Sequence, residues 1–208
     1  MSAQLPGPAY RIQTNRLRIR CWEPTDAPQL KAAIDASLDH LRPWMPWATD
    51  EPQTEAEKVE WLRAMRGQFD LNEDFAYGIF DPATAQVIGG IGLHPRVGPK
   101  ARDIGYWIHQ AFVNQGLATE AAAAVVRVAF EIERVERVEI HCDPRNLPSA
   151  AIPRKLGFQH QGTVHHPVRA VGIPSQVMVW SLAADVYSVS PVATAELEAF
   201  DVLGRQLI

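Results

Sequence analysis

Residues Tyr106-Trp107-Ile108-His109-Gln110-Ala111-Phe112-Val113-Asn114-Gln115-Gly116-Leu117-Ala118-Thr119-Glu120-Ala121 read as a strand, a short loop and the opening of an Ala-rich helix, with Gly116 at the turn. That order has a chemical consequence. The first N–H groups of a helix have no partner inside it, and the aligned peptide dipoles add partial positive charge at the same end, so backbone alone can hold an anion there. The loop has no lysine, which the phosphate loop of nucleotide hydrolases needs, and no GxGxxG, which a dinucleotide fold needs. The segment reads as a backbone cradle for a phosphate-type anion, although an ordinary strand-to-helix connection uses glycine just as often. Two histidines stand near enough in sequence to move protons: His109, beside the loop, and His141, on the strand face opposite Val138 and Ile140. A lone histidine is more often structural or solvated than catalytic.

The elements that must position these groups follow from periodicity. Residues 17–22 alternate apolar and polar and form a half-buried strand. Thr25 or Asp26 caps a helix to about residue 38. Leu41-Arg42-Pro43-Trp44-Met45-Pro46-Trp47 is too proline-rich for a helix and unusually aromatic for a loop. Thr54-Glu55-Ala56-Glu57 is a capping box opening a helix to about residue 69. Strands at 75–80 and 87–93 flank an Asp81-Pro82-Ala83-Thr84 turn, and Gly89, Gly90 and Gly92 mark bulges or a close approach of backbone or ligand. A strand at 103–109 leads to the central helix, 116–132, whose Leu117, Ala121, Ala124, Val125, Val128 and Ile132 form one apolar stripe. Residues 137–142 alternate again, a short helix spans 146–156 and ends at Gly157, and strands follow at 158–164 and 176–182. Hairpins followed by strand–helix–strand units imply an α/β (α+β) fold with a mixed sheet, its parallel part lying within 103–158. The reading is one domain over 1–183 with a loose arm at 1–14, then a tail at 184–208 that is helical around 193–203.

Composition narrows the classes. The chain has 208 residues, 47% apolar, with net charge −4, so no basic surface advertises a nucleic-acid partner. Cys21 and Cys142 are read as buried free thiols. No signal pattern or membrane-length apolar run is present, and a cytoplasmic protein is expected. The run Glu131-Ile132-Glu133-Arg134-Val135-Glu136-Arg137 is read as a solvated surface of mixed sign.

Four stretches together resemble one family. They are Thr14-Asn15-Arg16-Leu17-Arg18-Ile19-Arg20; Leu41-Arg42-Pro43-Trp44-Met45-Pro46-Trp47; Ile104-Gly105-Tyr106-Trp107-Ile108 leading to Gln115-Gly116-Leu117-Ala118-Thr119-Glu120-Ala121; and Asn146-Leu147-Pro148-Ser149 with Arg154-Lys155-Leu156-Gly157-Phe158. In order and spacing, over about residues 10 to 182, they resemble the GNAT N-acetyltransferases of the RimJ/RimL type, which acetylate N-terminal amines of ribosomal proteins. The resemblance implies a mostly antiparallel sheet flanked by helices, with a parallel, splayed pair of strands at the acyl-CoA site.

It also implies roles. Acetyl-CoA is the co-substrate and no metal is used. The backbone of Gln115, Gly116, Leu117, Ala118 and Thr119 holds the pyrophosphate; Ile108 pairs with the pantetheine arm and offers its amide to the oxyanion; Asn146 contacts the pantetheine. Ser149 falls at the serine of the motif and is the expected general acid for the thiolate, whereas many relatives use a tyrosine four residues later, where Pro153 stands here. Pro153 is expected to kink the helix. Asp103 is the expected base, with His109 and His141 behind it. Trp44, Trp47 and Tyr106 wall the acceptor pocket, and Gln176 replaces an aspartate common in the subfamily's last strand. The acceptor is expected to be a protein N-terminus, with a small amine (amino acid, polyamine or antibiotic) as the alternative and a non-catalytic acyl-CoA-binding module as a third reading. RimL-like relatives are often dimers, and the apolar tail is a candidate contact with a second copy.

Overall fold

A computed structural model describes residues 8–165 and 176–208. In chain order the elements are β1 (Arg11–Gln13), β2 (Arg18–Cys21), α1 (Ala27–Asp35), α2 (Leu38–Leu41), α3 (Glu55–Asp70), β3 (Phe75–Phe80), β4 (Val87–His94), β5 (Ala101–Ile108), α4 (Leu117–Glu131), β6 (Arg137–Cys142), α5 (Leu147–Lys155), β7 (Gln159–His165), β8 (Gln176–Ala183), α6 (Ala184–Tyr187) and β9 (Glu198–Phe200). Short 3-10 turns lie at Pro24–Asp26, Pro46–Asp50, Gln110–Phe112 and Pro191–Thr194. The strands make one sheet in the order β7-β8-β6-β5-β4-β3-β2-β1-β9. Neighbours are antiparallel except β5 and β6, which run parallel, as expected for strands joined by a crossover helix. Among the described residues no helix is long and apolar enough to cross a membrane.

Local chemistry accounts for the boundaries. The Thr54 hydroxyl accepts from the Glu57 amide, and the Glu57 carboxylate accepts from the Thr54 amide, closing the capping box that starts α3. The Asp81 carboxylate accepts the amides of Ala83 and Thr84 at 2.8 Å each, which folds the β3–β4 turn. Cys21 and Cys142 are free and buried. The aromatic segment around Trp44 is not wholly irregular: α2 ends at Leu41, and Pro46 opens a 3-10 turn, a position where its missing N–H costs nothing.

The two ends of the chain differ from expectation. Residues 11–13, read as part of a loose arm, form β1, while residues 1–7 lie outside the described part. The tail forms no helix at 193–203. Instead Ala199 pairs with Ile12 and β9 closes the edge that β1 would otherwise leave bare. Tertiary pairing here overrides the helix preference of an Ala- and Glu-rich run. The tail also covers the outer side of α4: Tyr187 stacks on Phe130 at 4.7 Å, and Arg127 donates to the Ala195 carbonyl at 2.6 Å. This is why Ala122, Ala123, Val126, Ala129 and Phe130 are buried as well as the predicted stripe. Val192 and Ala199, fully buried, are spent within the chain.

Glu133 corrects the reading of its neighbourhood as a solvated surface. Its side chain is 9% exposed and pairs with Arg102 of β5 at 2.9 Å, a partner 31 residues away that no local pattern announces. Its Oε1 is buried with no hydrogen-bond partner among the described residues. Burial pushes its carboxyl up from an ordinary 4.5 to about 7, against the pull of Arg102. An acid whose folded value is raised stabilises the fold below its unfolded value and loses that contribution as pH rises to the folded one. Between pH 4.5 and 7 the protein should therefore lose stability relative to Glu133→Gln, by about 3 kcal/mol at most. Urea unfolding of both proteins at pH 5 and 7.5 measures this; a difference that does not change with pH would refute it.

Candidate active site

The sheet opens between β5 and β6, the only parallel neighbours among the described residues. The pairing of β5 with β6 runs from Ala101↔Arg137 to Ile104↔Ile140, yet β5 continues to Ile108 and β6 to Cys142. On its other side β5 stays paired with β4 as far as Gly89↔Ile108. The His109 amide donates to the Ile88 carbonyl at 2.7 Å. Backbone groups alternate sides along a strand, so those of Trp107 and Gly105 face β4 while those of Ile108 and Tyr106 face the opening. The result is a slot edged by strand backbone with no strand in it.

The N-terminal half of α5 flanks the slot. Asn146 is its cap, its side-chain oxygen accepting the Ser149 amide at 3.1 Å. Tyr106 reaches across, its hydroxyl 3.2 Å from both the carbonyl oxygen and the hydroxyl of Ser149. Pro153 explains this contact. In a helix the Ser149 carbonyl would receive the amide of residue 153, and proline has none. The phenol of Tyr106 donates to the carbonyl so left open, and α5 runs through the proline from Leu147 to Lys155 with Ser149 held in place. The amide that Pro153 removes is thus met by a replacement donor, and the expected kink does not interrupt the helix. Burial raises the Tyr106 hydroxyl far above its usual range, so it stays protonated and able to donate. Cys142 completes the cluster; burial raises its thiol, and its contacts with the Ser149 and Trp180 side chains oppose that.

Gly116 caps α4 with φ +77°, a left-handed conformation that side chains other than glycine take at a cost. The first amide of the helix with a partner inside it is that of Glu120, bonded to the Gly116 carbonyl at 3.1 Å. The preceding amides are those the sequence offers to an anion, and Asn114, Gln115 and Gly116 are exposed. A pair that sequence reasoning missed fixes this loop. Arg16 donates to the Gln115 carbonyl at 2.9 Å and pairs with Glu120 at 2.6 Å, while Thr14 donates to Glu120 at 2.6 Å. Arg16 and Glu120 lie 104 residues apart, and only the fold joins them.

Beside the slot, on the sheet face opposite α4, lies a groove of about 760 Å³. Its floor is the glycines of β4 and β5: Gly90, Gly92 and Gly105. Trp44, Met45 and Trp47 form one wall, Trp61 and Met65 of α3 another, and His141, Asn146 and Ser149 border it at the slot. Trp47 meets Trp107 edge-on at 6.2 Å. Three predicted acceptor residues, Trp44, Trp47 and Tyr106, therefore line one space, together with Ser149 and Asn146. The predicted bases are not all there. His141 lines the groove and bonds to Glu139 at 2.7 Å. His109 does not; its Nδ1 caps the following 3-10 turn by accepting the Ala111 amide at 3.0 Å. Asp103 lies further along β5, half-buried, with Oδ1 buried and unpartnered among the described residues. A second histidine in the groove, His94, went unremarked in the sequence; its Nδ1 lies 2.6 Å from Asp74. Gln176 sits at the exposed start of β8.

Comparison with known proteins identifies the family and the fold. Residues 16–159 match the family described as Acetyltransferase (GNAT) domain. Bacillus subtilis YdaF is 30% identical over 169 residues, which are 80% of this chain and 90% of that protein. The [ribosomal protein uS5]-alanine N-acetyltransferase of Escherichia coli is 28% identical over 158 residues, covering 74% of this chain and 81% of the relative. Among solved structures, Mycobacterium smegmatis RimJ in complex with CoA-disulfide superposes with a TM-score of 0.78 at 20% identity, covering 91% of this chain and 95% of that one.

Proposed function

The chain belongs to the GNAT acetyltransferase family, whose donor is acetyl-CoA, and on that premise we propose that it acetylates the N-terminal α-amine of a protein, a ribosomal protein first among them. The observation that carries this reading is the slot left open between β5 and β6, with the Gly116 turn following the end of β5 and the Ser149 hydroxyl held at the slot's flank where the groove meets it. The donor lies with its pyrophosphate on the amides of Gln115, Gly116, Leu117, Ala118 and Thr119. Its pantetheine arm enters the slot as an added strand, met by the Ile108 backbone and by Asn146. An arm with alternating amides suits an edge whose own amides are unspent, much as a peptide adds to an open sheet.

The reaction is then a direct one. The acceptor nitrogen approaches through the groove and attacks the thioester carbonyl, and the Ile108 amide stabilises the charge that forms on oxygen. The carbon–sulfur bond breaks, and Ser149 supplies the proton the thiolate takes. An α-amine suits this arrangement because its pKa of about 7.7–8.0 leaves much of it neutral near pH 7, whereas a lysine at about 10.4 is almost wholly charged. The groove is open and walled by Trp44, Trp47 and Trp61, and aromatic walls of that kind take the first side chains of a peptide as readily as a small amphipathic amine. The uS5-alanine enzyme among its relatives favours the peptide.

The test is a panel of ribosomal-protein N-terminal peptides against amino acids, polyamines and aminoglycosides, followed by thiol release from acetyl-CoA. Peptides should exceed the small amines in kcat/KM by at least about tenfold, a difference of 1.4 kcal/mol. A small amine turned over faster than every peptide would move the acceptor assignment, and tight CoA binding without any transfer would replace catalysis by binding.

A further inference from the structure

His94 is the last residue of β4 and lies on the groove side of the sheet, paired across the strands with Asp103. Its ring does not stand upright. It lies back along the strand over Gly92, so closely that a Cβ at Gly92 would overlap the imidazole at Nε2. Glycine at 92 is therefore what lets the ring reach into the groove. Asp74, just before β3, fixes its direction: the carboxylate can only accept, so Nδ1 carries the proton and Nε2 presents its lone pair. Gly92 pairs with Gly105, and a Cβ at Gly105 would meet nothing within 4 Å. Gly105 is also the first residue of β5 beyond the last pair with β6, Ile104↔Ile140. The open pit above Gly105 thus has the slot on one side and the His94 ring, one strand away or about 5 Å, on the other.

We propose that His94, oriented by Asp74, is the general base that takes the proton from the acceptor amine. The inference rests on the donor lying in the β5–β6 slot. With the amine nitrogen above Gly105, its lone pair forms the C–N bond to the thioester carbon and one of its protons passes to Nε2. The C–S bond then breaks, and the sulfur takes a proton from Ser149. Solvent removes the proton from His94 and restores the Ser149 hydroxyl, so atoms and charge balance over the cycle. Asp74 contacts the imidazole, Arg96 lies 3.9 Å from the second Asp74 oxygen, and Asp103 is the cross-strand neighbour of His94; Asp50, Glu51, His141 and Asp143 line the same groove. From α3 the groove receives Trp61, Met65 and Gln68, all uncharged, and Lys58, which is paired with Glu51. Asp74 acts through His94 and is a positioning residue. Asp103, the carboxylate singled out from the sequence, neighbours the base and is not among the residues lining the groove.

The experiment compares wild type, His94→Gln, Asp74→Asn and Asp74→Glu, first for CoA binding by calorimetry and then for kcat/KM against pH. His94→Gln should bind CoA as wild type does and lose at least about 100-fold in kcat, the range of a general base. It should also change the shape of the pH profile, keeping only the rise that belongs to the acceptor amine. Asp74→Asn keeps the imidazole but removes the carboxylate that orients it, so kcat should fall by roughly 10-fold with KM little changed, and Asp74→Glu should restore it. The proposal is overturned if His94→Gln retains the wild-type rate and pH profile, or if Asp74→Asn leaves kcat unchanged. Failure of the wild type itself to bind CoA would instead overturn the placement of the donor, which calorimetry reads separately.

Discussion

Ser149→Ala should lower kcat by roughly two to three orders of magnitude, the contribution typical of a positioned proton donor, with the Kd for CoA changed less than threefold. The variant is informative because the Ser149 hydroxyl is not what caps α5. Asn146 accepts the Ser149 amide, and the Ser149 carbonyl is held by Tyr106. Removing the hydroxyl costs the helix neither its cap nor its link to β5, so the fold should survive. Steady-state rates at saturating acetyl-CoA, set beside calorimetric CoA binding, separate the possibilities. If Ser149 is only an early helical residue, rate and affinity will both match wild type, and the hydroxyl leaves the mechanism.

Gly116→Val should raise the Kd for CoA by at least about tenfold, which corresponds to 1.4 kcal/mol. Two effects add. A β-branched side chain at φ +77° is strained by about 1–2 kcal/mol, which the loop would relieve by turning its amides away from their present direction. The added atoms would also stand over the cradle, where a Cβ has only the Arg16 guanidinium near it, at 3.6 Å. Strain alone can be separated from obstruction. Gly204 has nearly the same conformation, φ +76°, with nothing within 4 Å of a Cβ, and lies in the turn after β9 at the far edge of the sheet. Gly204→Val should lose comparable stability and keep CoA affinity. Equal affinity in both variants would remove the pyrophosphate from the Gly116 turn.

These two predictions concern the proposed donor side, whose secondary-structure elements were legible. A strand, a glycine turn and an apolar helix are local patterns, and Gly116, Ile108 and Asn146 fall where such patterns put them. The acceptor side was less legible because its geometry comes from distant residues. Asp74 and His94 are 20 residues apart on different elements, with no spacing that announces a pair. Arg16 holds the Gln115 carbonyl from the other end of the domain. The glycines of β4 were visible as close-approach positions, but the ring lying over Gly92 could be seen only once β4 was folded. The same cause explains the tail: residues 193–203 carry helix-forming side chains, and the open edge of β1 decides against them.

Pro153 has a consequence for how this sequence can change. A leucine at 153 would return an amide to the Ser149 carbonyl and leave the Tyr106 phenol its other contact, the Ser149 hydroxyl. A phenylalanine at 106 would leave that carbonyl without a donor, because proline cannot replace it. The phenylalanine is therefore costly while proline stands at 153 and much less so once an amide is restored there. Positions 106 and 153 are thus epistatic, although they lie on different elements and 47 residues apart, and any path that alters one of them is constrained by the state of the other.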